Sequence, residues 1–418
     1  MEICDPKHCT GCMCCANICN KGAISAINDE QGFLRPHINQ KLCVDCGRCS
    51  FVCPSNNNPK LTLMKQTNII YPKVLAAWTN NKIYREVCTS GGIATELAKY
   101  IIDCKGSVFG AAYGDGFAVK HIKVDQISSL DRIMGSKYVQ SNIDDIYIEI
   151  KELLLDSRRV MFIGTPCQVA GITNYCLASG LNMDNLFTID ILCHGAPSPL
   201  IFSEYISLIE ETYGKCIKSI NQRKKCKSWL TYATEIVFED NSKLIEYKEQ
   251  NQYTEGFFSN LFLRPSCYSC PFASTDRVGD ITLGDFWGYI ETNSQDKDTD
   301  KGISLVMINT EKGNILFNAI RSNVICFERP IEEAVNGNPT LSGPSSVNPK
   351  YTDFWSDHKI SCFKDLFNKY CKPSKIKWEE VSRYVSIHYT NTPELLKKFL
   401  RRYYYYIKNP FKNKYLRH

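Results

Sequence analysis

At 418 residues the chain is long enough for two or three domains. Its 44% apolar and 22% charged residues are ordinary for a globular protein, and a net charge of +6, spread until the C-terminus, argues weakly for nucleic acid. The start, MEICDPKHCTGC, has no basic segment leading into an apolar one, and no apolar run approaches the roughly 20 residues that span a bilayer. A cytoplasmic protein is therefore expected.

The composition is unusual in its 22 cysteines, ten of which fall before residue 54. In a reducing compartment, crowded and regularly spaced cysteines point to metal rather than disulfides. Cys9, Cys12, Cys15 and Cys19 form C-x2-C-x2-C-x3-C, and Cys43, Cys46, Cys49 and Cys53 repeat it with every position offset by 34. Three close thiolates wrap one cubane, and the fourth cysteine crosses to the other cluster. The spacing therefore predicts one [4Fe–4S] cluster on Cys9, Cys12, Cys15 and Cys53, and a second on Cys43, Cys46, Cys49 and Cys19. Zinc needs four ligands but not this triple spacing. The pattern resembles a two-cluster bacterial ferredoxin over residues 1–60, although Asn20 stands where a proline commonly follows the fourth cysteine. Cys4 and Cys14 are surplus to the two sets.

Residues 54–72 are polar and bounded by prolines, so a linker is expected there, closing by residue 73. Beyond it, apolar runs at 74–78, 107–113, 159–164, 186–193 and 303–309 read as strands, and 93–103, 143–155 and 199–213 as helices. That alternation predicts an α/β domain over 74–330, with an antiparallel patch at 217–248. An α+β ferredoxin-like module precedes it and an extension, 331–418, follows it.

Two of the strands run into cysteine: RVMFIG into TPCQ at Cys167, and LFTIDIL into CHGAPS at Cys193. Ligands gather at the carboxyl ends of strands in open α/β sheets. These two thiols can complete a four-thiolate site with the C-x2-C of Cys267 and Cys270, which has no second pair nearby. By spacing alone a cluster, a zinc ion and coincidence all stay open, and the upstream module tilts the reading to a third [4Fe–4S] cluster. Cys104, Cys176, Cys216, Cys226, Cys326, Cys362 and Cys371 read as small buried hydrophobes.

The segments TSGGIATEL (89–97), GSKY (135–138), IGTPCQ (163–168), CHGAPS (193–198) and CYSCPF…GDITLGDFWG (267–288) occur in this order. Together they resemble the β subunits of coenzyme F420 hydrogenases and dehydrogenases, a family related to 7-hydroxymethyl chlorophyll a reductase. The resemblance spans about residues 74–330. It implies FAD beside a [4Fe–4S] cluster, with the cluster ligands at Cys167, Cys193, Cys267 and Cys270. It places the flavin region at Ser90, Gly91, Gly92, Gly135, Ser136, Lys137 and Tyr138. A glycine pair opening the helix 93–103 suits close approach of a pyrophosphate, but an ordinary turn explains the same residues. No G-x-G-x-x-G follows a strand, so a dinucleotide-binding Rossmann domain is not expected.

Lys137, His194 and Asp285 are the candidate catalytic residues: a cation near the flavin, a proton carrier, and with Trp287 a wall of the pocket. In the basic and aromatic end, ELLKKFLRRYYYYIKNPFKNKYLRH, a helix over 394–407 would be amphipathic and would suit either an anionic membrane surface or docking on the protein itself. The expected function is a FAD- and cluster-dependent oxidoreductase with a ferredoxin- or F420-type carrier and a small organic substrate. A non-catalytic electron-transfer adaptor and a zinc-stabilised binding protein are the alternatives, and an oligomer is compatible with any of them.

Overall fold

The computed structural model describes residues 2–56, 73–226, 228–290 and 299–372. Most of the expected linker and the helix expected at 394–407 lie outside these residues.

The first module is small. A strand pair, β1 (Ile24–Asn28) and β2 (Leu34–Ile38), is antiparallel with Ile24 opposite Ile38. Two short helices, Cys14–Asn17 and Arg48–Val52, pack on each other. Helices this short cannot stand alone. Here Cys12, Cys14, Ile18 and Val52 instead sit in one apolar cluster with Tyr147, Phe162, Val169 and Ile172 of the large domain. Asn17 donates to the Asp144 carbonyl at 2.8 Å, and Asn174 to the Val52 carbonyl at 3.0 Å. The module is thus docked against the helices Ile146–Leu155 and Pro166–Ala178.

The large domain contains β3 (Lys73–Thr79), β4 (Ser107–Tyr113), β5 (Val119–Val124), β6 (Val160–Gly164), β7 (Leu186–Ile191), β8 (Ile217–Lys225), β9 (Tyr232–Phe238), β10 (Lys243–Tyr247), β11 (Ile281–Asp285), β12 (Ser304–Ile308) and β13 (Val324–Glu328). Eight of them form a mixed sheet in the order β13-β3-β12-β11-β7-β6-β4-β5. The central strands β11, β7, β6 and β4 run parallel, and their outer neighbours pair antiparallel. Parallel strands need both faces covered. One face meets Ile93, Leu97 and Ile101 with Leu316 and Phe317, and the other meets Tyr147, Ile150, Val169 and Ile172.

All five expected strands are present, and the helices Ile93–Asp103 and Pro199–Tyr213 match their expected limits. The helix expected at 143–155 starts at Ile146. The antiparallel patch is a separate three-stranded sheet, β10-β9-β8. One expectation is corrected: of the cysteines read as buried hydrophobes, Cys176 and Cys371 are buried, but Cys216 and Cys362 are exposed. Cys216 lies between the helix Pro199–Tyr213 and β8, at a connection where nothing covers it. No helix among the described residues is long and apolar enough to cross a membrane.

Candidate redox site

Two concavities in the first module gather its cysteines. Cys9, Cys12, Cys15 and Cys53 line one, together with Cys4, Thr10 and Cys14. Cys19, Cys43, Cys46 and Cys49 line the other. The fourth cysteine of each sequence run therefore sits with the other run's first three. The first set is buried, whereas Cys46 of the second is exposed, so one site faces the large domain and the other faces solvent. Cys4 hydrogen-bonds both Cys9 and Cys53, and this holds the Cys9 thiol below its ordinary range against the effect of burial, with the charge of Arg264 adding to it.

The third set assembles at the carboxyl end of the parallel strands. β6 and β7 are adjacent, with Gly164 opposite Asp190. After β6, Thr165 caps the helix Pro166–Ala178 through a capping box with Gln168, which fixes Cys167 in the first turn. Cys193 follows β7, and the amide of Leu192 before it donates to Leu283 at 2.8 Å. Cys267 lies in the short turn Pro265–Ser269, where the Ala196 amide donates to its sulfur at 3.3 Å. Cys270 follows, and its loop is tied to β7 by a buried Arg277–Asp190 ion pair at 3.2 Å. Burial raises the thiols of all four, and Cys193 is raised further by the facing sulfurs of Cys267, Cys167 and Cys270. Four thiols that resist ionisation individually and repel as thiolates suit a polynuclear cation that carries the opposite charge. Among the described residues no three His, Cys, Asp or Glu side chains converge as a site for a single metal ion.

The first and third sets are neighbours. Thr10 of the first module favours the ionised form of the Cys167 thiol, adding to the Thr165 hydroxyl 3.2 Å from the same sulfur. The sulfurs of Cys12 and Cys167 influence one another, and a Cβ on Gly171 of the same helix would lie 3.3 Å from the Cys12 sulfur.

The two segments expected to hold a flavin also meet. The Ser136 amide donates to the Thr89 hydroxyl at 3.1 Å, and the Ser136 side chain lies 3.2 Å from the same oxygen. The Ser90 hydroxyl donates to the Ile303 carbonyl at 2.7 Å. Gly91 lies so close to the sheet that a Cβ would run into the Ala77 carbonyl, so packing alone requires glycine there. Gly92 and Gly135 both adopt positive φ. Lys137 turns back on its own loop, donating to Met134 at 2.7 Å and to the Arg132 and Gly135 carbonyls at 3.3 Å. Its burial lowers its pKa to about 8.

Around these segments stand residues that sequence reasoning missed. Arg223 of β8 donates to the Tyr138 hydroxyl at 2.9 Å, pairs with Asp285 at 3.0 Å, and lies 3.9 Å from the centre of the Tyr232 ring. Its Nε and Nη2 are buried with no hydrogen-bond partner among the described residues. Asp285 also accepts from the Trp229 indole at 3.0 Å, and Trp229 stacks flat on Trp287 at 4.5 Å. Lys225 donates to the carbonyls of Arg85, Ser90 and Lys301 at 2.9, 2.7 and 2.6 Å. Nothing marks Arg223 and Lys225 in the basic stretch QRKK, because their burial comes from elements far away in sequence. His194 lies elsewhere, against Phe257 and Phe258, with Nε2 at 2.6 Å from the Asn260 side-chain oxygen, and burial lowers its pKa.

Residues 157–333 match the family model for the carboxyl-terminal part of the coenzyme F420 hydrogenase/dehydrogenase beta subunit, and residues 8–57 match the model of a 4Fe-4S dicluster domain. Among curated proteins nothing matches. Among solved structures, a chain of the F420-reducing [NiFe] hydrogenase complex from Methanosarcina barkeri is 18% identical with a TM-score of 0.43, covering 72% of this chain and 92% of that one. The chain thus matches a 4Fe–4S dicluster domain over residues 8–57 and the carboxyl-terminal part of the coenzyme F420 hydrogenase/dehydrogenase beta subunit over residues 157–333.

Proposed function

We propose that the chain is an iron–sulfur flavoprotein oxidoreductase that moves electrons between a ferredoxin- or F420-type carrier and a small organic substrate. In this reading residues 1–60 hold two [4Fe–4S] clusters, on Cys9, Cys12, Cys15, Cys53 and on Cys43, Cys46, Cys49, Cys19. Residues 61–73 link them to a domain over 74–330, whose Cys167, Cys193, Cys267 and Cys270 hold a third, and residues 331–418 form an extension. The observation that carries the reading is the meeting of four partly buried thiols at the carboxyl end of β6 and β7, against the buried set of the first module.

The partly exposed set of Cys43, Cys46 and Cys49 is the natural entry for electrons, and the buried set the inner step. Clusters pass single electrons, and a flavin accepts one or two, which matches such a chain of sites to two-electron chemistry. The residues that fit FAD are Thr89, Ser90, Ser136, Tyr138 and Arg223. The two unpartnered donors of Arg223 call for an acceptor-bearing group beside Tyr138 and Tyr232. Asp285, which also accepts from the Trp229 indole, holds that guanidinium in place. Lys137 and Lys225 stabilise the surrounding loops through carbonyls and keep them cationic.

The test is iron, labile sulfide, zinc and flavin per chain on protein purified without oxygen. About twelve iron, twelve sulfide and one FAD are expected. About eight iron with no flavin would leave an electron-transfer adaptor, and zinc without sulfide would overturn the redox reading.

A further inference from the structure

Arg264 is among the most deeply buried large side chains of the protein, 1% exposed, yet it carries a full charge. Its guanidinium reaches the first module from the turn that bears Cys267. Nε donates to the Cys9 carbonyl at 2.7 Å, and Nη2 to the Leu34 carbonyl at 2.8 Å and the Cys9 sulfur at 3.6 Å. Nη1 donates to the Gln140 side chain at 3.2 Å, which in turn accepts from the Leu34 amide at 3.2 Å. Its own backbone is fixed as firmly: the Arg264 amide donates to Ala196, and the Cys267 amide donates to the Arg264 carbonyl, both at 2.9 Å.

Among the described residues no carboxylate pairs with this cation. The nearest one that influences it, Asp29, is engaged by Arg35 at 2.8 Å. A buried charge without a counter-ion is expensive. Besides Asp29, the anionic groups that act on Arg264 are the sulfurs of Cys9 and Cys267, one from each of two sites. A cluster held by four thiolates is a net anion, and each electron it accepts adds a negative charge. An uncompensated guanidinium between two such sites favours their reduced forms.

We propose that Arg264 is a positioning residue for electron transfer, its buried fork clamping the Cys9 side of the module to the Cys267 turn while its charge favours the reduced state of the two adjoining clusters. The inference rests on the ligand sets proposed above. The step is one electron passing from the Cys9 cluster to the Cys267 cluster, with no bond made or broken. The hydrogen bonds of Arg264 go to Cys9, Leu34 and Gln140, and none to the set of Cys19, Cys43, Cys46 and Cys49.

The test is a redox titration of the full, cluster-loaded chain followed by electron paramagnetic resonance, for the wild type, Arg264→Gln and Arg264→Lys. In Arg264→Gln the two adjoining clusters should become harder to reduce, the reduced-to-oxidised ratio at a fixed potential falling about tenfold, or about 59 mV for one electron. The third potential should stay in place. Arg264→Lys should keep the potentials nearer the wild type but slow internal electron transfer, because an ammonium cannot reproduce the fork. Unchanged potentials in an Arg264→Gln protein with wild-type iron and sulfide would overturn the proposal. If that variant loses its clusters, wild-type transfer rates in Arg264→Lys would overturn the clamp. Failure of the ligand assignment reads differently: the wild type itself would then lack a third cluster signal.

Discussion

The Thr165 hydroxyl lies 3.2 Å from the sulfur of Cys167 in the first turn of the helix after β6, and Thr10, between two module cysteines, acts on the same thiol. This contact lowers the cost of ionising Cys167 in a place where burial raises it. Hydrogen bonds to sulfur also raise a cluster's reduction potential. Thr10→Val keeps the shape and removes the hydroxyl. The expected outcome is a lower potential for the Cys167 cluster and slower internal electron transfer, with iron content unchanged. A potential equal to the wild type would show that the contact does not tune the site.

The two module concavities make the crossed ligand sets testable. Cys19 lines the same concavity as Cys43, Cys46 and Cys49, although it follows Cys15 in sequence. Cys19→Ser is therefore expected to abolish the same spectroscopic signal as Cys43→Ser, and Cys53→Ser the same signal as Cys9→Ser. Cys267→Ser should lower iron by about four per chain and leave both module signals intact. Loss of all three signals together, or of none, would reject the assignment.

The parallel core and its cysteines were readable because β6 is an unbroken apolar run and β7 a largely apolar one, followed closely by Cys167 and Cys193. β11 was less visible as a strand, since ITLGD is short and carries Gly284. β5 carries a near-alternating burial pattern, but its sequence VKHIKV reads as readily as a charged loop. Arg264 and Arg223 escaped entirely. A single arginine before Pro265, or within QRKK, looks like surface charge, and only the arrival of Cys9 from 255 residues away, or of Asp285 on β11, turns it into a buried cation. Gly91 shows the opposite case: a motif glycine whose absence of a side chain is already required by the Ala77 carbonyl.

Asp285 is the counter-ion of a guanidinium whose side chain is only 3% exposed. Removing one partner of a buried pair leaves the other uncompensated, at roughly 3–5 kcal/mol. Asp285→Asn should therefore lower the thermal midpoint by several degrees. The indole of Trp229 keeps an acceptor in this variant, so the loss isolates the charge. Differential scanning calorimetry without oxygen would measure it. A midpoint within about one degree of the wild type would mean that Arg223 finds another partner.

His121 supplies a pH dependence of definite sign. Its ring stacks on Phe162 at 5.1 Å, with Nε2 at 3.0 Å from the Ile163 carbonyl and Nδ1 at 3.1 Å from the Ser141 hydroxyl. Burial, opposed by the bond to Ile163 and aided by Lys137, lowers its pKa from 6.5 to about 4. The folded protein thus holds the neutral ring while the unfolded chain takes up a proton first. Its stabilisation is complete above pH 6.5 and is lost as the pH falls through that value toward 4, by about 3 kcal/mol. In His121→Gln this part of the acid dependence should vanish, so urea midpoints of variant and wild type should converge as the pH is lowered. Parallel curves across that range would show that the ring is protonated in the native state.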